Sequence, residues 1–128
     1  MSQGQIEQGI QDFFAAFCNK DVEAWLATFA ADATSHDPVG APPNVGHAAL
    51  RQFFLTVMDM FDRVSIGAEQ VLVCNQRGVA KWRAQGVGKN GRTVNFAGLD
   101  VFEMDESGKI KGLWGFWDPA AMLAELNG

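Results

Sequence analysis

The spacing of the apolar residues changes once along this chain, near Asp62, and that change limits the architectures open to it. Before it, Ile6, Ile10, Phe13, Phe14 and Phe17 recur at helical spacing and predict a helix over about residues 4 to 18. Asn19-Lys20 interrupts the pattern, and Asp21 is an N-cap for a second helix with the stripe Val22, Trp25, Leu26 and Phe29. A third helix, beginning near Gly46-His47, carries Leu50, Phe53, Phe54, Val57, Met58 and Phe61. After Asp62 the segments are extended: Val64 to Cys74, Val79 to Gly88, Thr93 to Met104 and Lys109 to Trp117. The turns between them are Asn75 to Gly78, Lys89 to Arg92 and Asp105 to Gly108, and Asn90-Gly91 is a strong hairpin signal. Pro119 to Leu126 reads as a short closing helix with Pro in its first turn. Three helices followed by a meander predict an α+β fold, with helices on one face of a curved sheet. At 128 residues, with no repeat or linker, residues 1–128 form one domain with room for a sizeable core.

Between the second and third helices lies Ser35-His36-Asp37-Pro38-Val39-Gly40-Ala41-Pro42-Pro43, with three of the four prolines. Ala33 to Asp37 is expected as a short strand. Asp37 is held extended by the proline after it, and the Pro and Gly residues then turn the chain back. A carboxylate is thereby fixed on a rigid corner. His36, one residue earlier, should point to the opposite face, and His47 at a helix start should be exposed.

The chain carries a net charge of −5 and no run of Lys or Arg, so the basic footprint of a nucleic-acid binder is missing. No apolar stretch approaches the roughly 20 residues that span a bilayer. The first residues lack the charged and apolar regions of a secretory signal, which favours a cytoplasmic location. Cys18 and Cys74 are far apart and read best as two buried free thiols. Two His at this spacing make no metal motif, and no Ser or Cys has a nucleophile's setting. No cofactor is implied.

Strand alternation separates two sheet faces. If Asp100 faces inward, so do Phe96, Gly98 and Phe102, with Leu113, Gly115 and Trp117 on the last strand. The outward set is then Ala97, Leu99, Val101, Trp114 and Phe116, to which the hairpin partner adds Trp82 and Ala84. So apolar an outer face would be a poor solvent surface, and it predicts a homodimer.

Proton-transfer chemistry needs a base of tuned pKa in fixed reach of its substrate, and Asp37 suits that role. Asp100 is an acid in the middle of an apolar strand; burial favours its neutral form, which can donate a hydrogen bond to an oxyanion. Simpler roles exist for both. An Asp before Pro is most often a turn residue, and a mid-strand Asp can pair with Arg83 or face water.

Asp21 to Ala24, Phe29 to Thr34, His36 to Pro43, Gly46, Leu50 to Phe54, Leu99 to Phe102 and Gly108 to Ile110 resemble the bacterial ketosteroid isomerases. These belong to the nuclear-transport-factor-2-like superfamily, together with the SnoaL-like polyketide cyclases. The similarity covers about residues 6 to 118, and Asp-Pro-Val-Gly-x-x-Pro is its most specific piece. It implies a cone-shaped α+β cup of curved antiparallel or mixed sheet, with three N-terminal helices on its concave side. Carried over, Asp37 falls on the isomerase general base, Asp100 on its protonated oxyanion donor and Trp117 on an aromatic of the steroid pocket. The isomerases are the known case of a carboxylic acid kept neutral in an apolar site, so that mechanism comes with the resemblance.

Where the isomerases carry the main oxyanion tyrosine this chain has Phe13, and Phe29 and Phe54 replace tyrosines that support it; the chain has no Tyr at all. Loss of one oxyanion donor costs on the order of 10² to 10³ in rate. The family's register also turns Lys81, Arg83 and Gln85 toward the cavity, where Arg83 would hold Asp100 ionised or bind a substrate carboxylate. A β-bulge would instead turn Trp82 inward and the charges to solvent.

The expectation is therefore a steroid delta-isomerase-like enzyme that isomerises or cyclises a small hydrophobic carbonyl compound. Asp37 and Asp100 would be catalytic, and Phe13, Phe54, Arg83, Phe102, Leu113 and Trp117 would bind substrate. The alternatives are a ligand carrier of the same fold and an epoxide hydrolase. The latter needs an Asp-Arg-Asp relay, and Arg83 is followed by Gln85 where an acid would stand.

Overall fold

The computed structural model describes residues 2–128. The first helix, α1 (Gln3–Cys18), starts on a capping box, in which the Ser2 hydroxyl accepts from Gln5 N–H and the Gln5 side chain accepts from Ser2 N–H. Its buried stripe is Ile6, Ile10, Phe13 and Phe14. Helix α2 (Val22–Ala27) is capped by Asp21, whose carboxylate accepts from Ala24 N–H at 3.0 Å. It ends sooner than the stripe implied. The Thr28 hydroxyl donates to Trp25 O at 2.6 Å, and Phe29 is already the first residue of β1 (Phe29–His36).

A two-residue strand, β2 (Asn44–Val45), leads into α3 (Gly46–Met60), which enters through Gly46 at φ +84°, a backbone angle that favours glycine. Four long strands follow: β3 (Phe61–Cys74), β4 (Arg77–Gly88), β5 (Thr93–Met104) and β6 (Ile110–Phe116). Helix α4 (Pro119–Asn127) closes the chain, capped by Asp118 and tied to the β4–β5 loop by Asn90 Nδ2 donating to Leu126 O at 2.9 Å.

The six strands form one curved, unclosed sheet in the order β2-β1-β6-β5-β4-β3. All pairs are antiparallel except β1 with β6. The main core lies between α1, α2, α3 and the concave face, around Trp25, Phe29, Phe54, Phe102 and Leu113. A second cluster of Phe61, Val64, Val94, Met122 and Leu126 lies under α4. Phe17, Met58, Phe96 and Trp117 pack against both clusters, and a cavity opens along that seam.

The expected outer face changes at β4. Residues directly opposite across a ladder share a face, and Trp82 pairs with Gly98 while Ala84 pairs with Phe96. Trp82 and Ala84 are therefore buried on the concave side, and Lys81, Arg83 and Gln85 point to solvent. The β4–β5 register is unbroken over this stretch, so no bulge there is needed; the irregularity falls in β3, between Ala68 and Gln70. The rest of the outer face stays apolar, with Leu99 38% and Phe116 48% exposed. Two smaller expectations also change. His47 is half-buried with its Nε2 3.1 Å from Phe29 O, and of the two free thiols Cys74 is exposed. None of the described helices is long and apolar enough to cross a membrane.

Candidate active site

Asp37 follows β1 on a corner that is fastened to β6. The Asp37-Pro38 peptide is cis, and Val39 N–H donates to Gly115 O at 2.8 Å. His36 lies on the other face, its ring stacked on Trp114 at 5.7 Å between centroids. That leaves Asp37 directed into the cup, where its Oδ1 accepts from Trp117 Nε1 at 2.7 Å.

Asp100 comes from the middle of β5, opposite Ala80 on one side and Gly115 on the other. It is only 4% exposed. Gly115 is what lets the two acids meet. A Cβ there would sit 2.5 Å from Asp37 Oδ1 and 3.2 Å from Asp100 Oδ1, so both carboxyls converge over the same bare backbone.

Their protonation follows from these surroundings. Burial pushes the Asp37 carboxyl above the ordinary carboxylate range, and the Trp117 N–H holds it partly down by favouring the ionised form. Asp100 is pushed further up, first by burial, then by the negative charge of Asp37, with a smaller opposing pull from the Trp82 indole. The Trp82 contact falls short of a hydrogen bond, and its Nε1 has no other partner. Two carboxyls this close titrate as a coupled pair, and the one with the better donor ionises first. Of the two, Asp37 is the easier to ionise and Asp100 the readier to keep its proton.

The cavity holding them is walled by Phe13, Phe17 and Trp25 from the first two helices and by Phe53, Val57 and Met60 from α3. Ile66, Trp82, Phe96 and Trp117 close it on the sheet side, and Met122 comes from α4. Asp37 and Asp100 are the only ionisable groups in this lining. The slot they line is tight, with a cavity volume of about 60 Å³. Among the described residues, no group of three His, Cys, Asp or Glu side chains is placed to hold a metal ion.

Of the residues expected at the site, Asp37, Asp100, Phe13 and Trp117 share this lining. Phe54, Phe102 and Leu113 stand behind it in the core. Phe54 packs on Phe17 and Trp25 at 5.4 and 5.1 Å, Phe102 on Phe13 at 5.2 Å, and Leu113 pairs with Phe102 across β5 and β6. Arg83 is on the convex side, its Nε 2.9 Å from Glu69 Oε1, so it neither meets Asp100 nor reaches the cavity. Met60 and Met122 were not expected in the wall, and Trp82 was expected to turn inward only in the alternative with a β-bulge.

A family model for the SnoaL-like domain matches residues 10–113. The chain belongs to the SnoaL-like family. Its fold is consistent with the nuclear-transport-factor-2-like superfamily. Among solved structures, this SnoaL-like chain is similar to SalBIII, an epoxide hydrolase/cyclase-like enzyme in pyran ring formation in the polyether salinomycin. The two are 24% identical, with a TM-score of 0.83 over 92% of this chain and 94% of that one. It is also similar to a candidate SnoaL-like polyketide cyclase from Jannaschia sp. CCS1, at 17% identity and a TM-score of 0.86, covering 98% of this chain and 94% of that one. At these identities the likeness establishes the fold.

Proposed function

We propose that this SnoaL-like protein catalyses intramolecular proton transfer, an isomerisation or cyclisation, on a small hydrophobic carbonyl compound. The single observation that carries the reading is the convergence of two unequal carboxyls over Gly115 inside an apolar cavity. Asp37, ionised, removes a proton next to the carbonyl and returns it elsewhere on the same molecule. Asp100, protonated, donates a hydrogen bond to the enolate oxygen as charge develops there. Phe13, Trp82 and Trp117 hold the apolar body, and the absence of a cation near Asp100 supports its staying neutral. Phe13 supplies no hydroxyl, so turnover is slower than with a second oxyanion donor.

The narrow slot favours a flat ligand. A polycyclic one needs the walls to yield, and Met60 and Met122, unbranched and flexible, are the side chains able to do so. An epoxide-opening relay of the Asp-Arg-Asp kind has no support, because Arg83 is paired with Glu69 outside. The remaining outer apolar face, Leu99, Val101, Trp114 and Phe116, is proposed to pair two copies of the chain, which light scattering at micromolar concentration checks.

The test of the chemistry is to follow conjugation of a cyclic β,γ-enone by absorbance. Asp37→Asn is expected to lower the rate by at least about 10²-fold, the usual contribution of a positioned base. An unchanged rate in that variant removes Asp37 from the mechanism. Tight binding of flat apolar ligands with no turnover, unaffected by Asp37→Asn, makes the protein a carrier instead.

A further inference from the structure

The two indoles beside the acid pair are not used alike. Trp117 Nε1 donates to Asp37 at 2.7 Å, whereas the Nε1–H of Trp82, a buried residue of the same lining, has no partner. Buried N–H groups are seldom left so, and each such case asks for a reason.

Its position supplies one. Trp82 lies opposite Gly98, and a Cβ on Gly98 would be 2.5 Å from Trp82 Cζ2, the ring atom next to the carbon that bears Nε1. The N–H edge therefore lies over Gly98. The next residue of β5 on that face is Asp100. The Trp117 ring, itself bonded to Asp37, packs edge-on against the Trp82 ring at 6.0 Å between centroids. The groups turned toward Asp100 from the surrounding elements are few. Asp37 is the one charged neighbour, β6 offers Gly115 without a side chain, and α1, α3, β3 and α4 present apolar side chains to the cavity.

We propose that Trp82 is a positioning residue for Asp100: its indole N–H closes onto one carboxyl oxygen when a ligand fills the slot, and so turns the protonated oxygen toward that ligand. The proposal rests on the reading of Asp100 as hydrogen-bond donor. It also accounts for the division of labour between the acids. The short Trp117 bond favours the ionised form of Asp37, and the longer Trp82 contact leaves Asp100 protonated.

The experiment is a pH titration of the protein saturated with 2-naphthol and labelled with ¹³C in the Asp carboxyls and ¹⁵N in the Trp indoles, run on wild type and on Trp82→Phe. In wild type the Trp82 indole signal is expected to follow the Asp100 carboxyl midpoint while Trp117 follows Asp37. In Trp82→Phe the Asp100 midpoint is expected to rise by about one pH unit, because a donor to the charged form is lost. A purely space-filling role gives the opposite sign, since water entering beside the smaller ring lowers the midpoint. Affinity for 2-naphthol, a flat phenol whose oxygen stands in for the enolate, should fall about tenfold more in the variant than affinity for naphthalene, which reads only the lost apolar contact. A Trp82 signal that ignores the Asp100 midpoint overturns the proposal. So does a midpoint that stays or falls in the variant. If Trp82→Phe does not fold, the wild-type titration alone decides. Coupled Trp82 and Asp100 signals with no turnover of any enone leave this assignment standing and sink only the catalytic one.

Discussion

Gly115 is the position at which a single methyl group tests the site most directly. In Gly115→Ala the new Cβ would lie 2.5 Å from Asp37 Oδ1 and 2.9 Å from its Cγ, against about 3.4 Å for ordinary contact. Asp37 must withdraw by about 0.9 Å or the β6 backbone must bend. Neither is easy. The carboxyl is held by Trp117 Nε1 at 2.7 Å, and the corner behind it is bonded to Gly115 itself through Val39 N–H at 2.8 Å. Overpacking of this kind costs roughly 1–3 kcal/mol of stability. In a chain of this size that lowers Tm by several degrees, since 1 kcal/mol is worth about 2–8 °C. The rate should suffer more, because a misplacement of about 1 Å in a catalytic group costs on the order of 10²-fold. The assay pairs initial rates of enone conjugation with a thermal melt and the ¹⁵N shift of the Trp117 indole. A variant that keeps the full rate and an unmoved Trp117 signal would show that the acids do not converge over this glycine.

Asp100→Asn should stabilise the fold at pH 7. Burial and the charge of Asp37 raise the folded-state pKa of Asp100 well above the ordinary carboxylate range, so above that range's pH the folded chain holds a proton that the unfolded chain releases, and stability falls as pH rises. Asn removes that loss; melts at pH 7 and pH 4 should show a gain on the order of 5 °C at the higher pH that shrinks toward the lower. Arg83→Ala should leave turnover unchanged and cost less than about 1 kcal/mol, because its pair with Glu69 is exposed, at 67% and 43%. A large loss of activity in that variant would place the β4 charges in the cavity after all.

Local chemistry made much of this structure readable in advance. The stripes of α1 and α3, the Asp21 cap, the hairpin turns and the Asp37 corner all follow from neighbouring residues acting on one another. Asp100 could be singled out because a carboxylate amid apolar strand residues needs an explanation. The facing of β4 was also written in the chain. Lys81, Arg83 and Gln85 alternate with Ala80, Trp82 and Ala84, and plain alternation sends the charges to solvent, as observed. The expected facing of the hairpin, which put Trp82 and Ala84 outward, and the register borrowed from the isomerases both ran against that pattern, and both are overturned. Met60 and Met122 left no local signal. Their part in the wall depends on how α3 ends and where α4 folds back, which are set by long-range packing. The same holds for Phe54 and Phe102, whose depth behind the wall rather than in it is a matter of a few ångströms that periodicity does not measure.

The placement of β6 between β1 and β5 has a consequence for how this protein comes into being. Asp37 follows β1 and Asp100 lies on β5, two strands that do not pair, and the last-made strand is the bridge that seats one acid against the other. In a nascent chain the two acids cannot be brought together until residues 110–116 have docked, however well its helices have formed. Any partial opening that frees this strand extinguishes the site at once, so activity would report loss of that docking before circular dichroism registered much change.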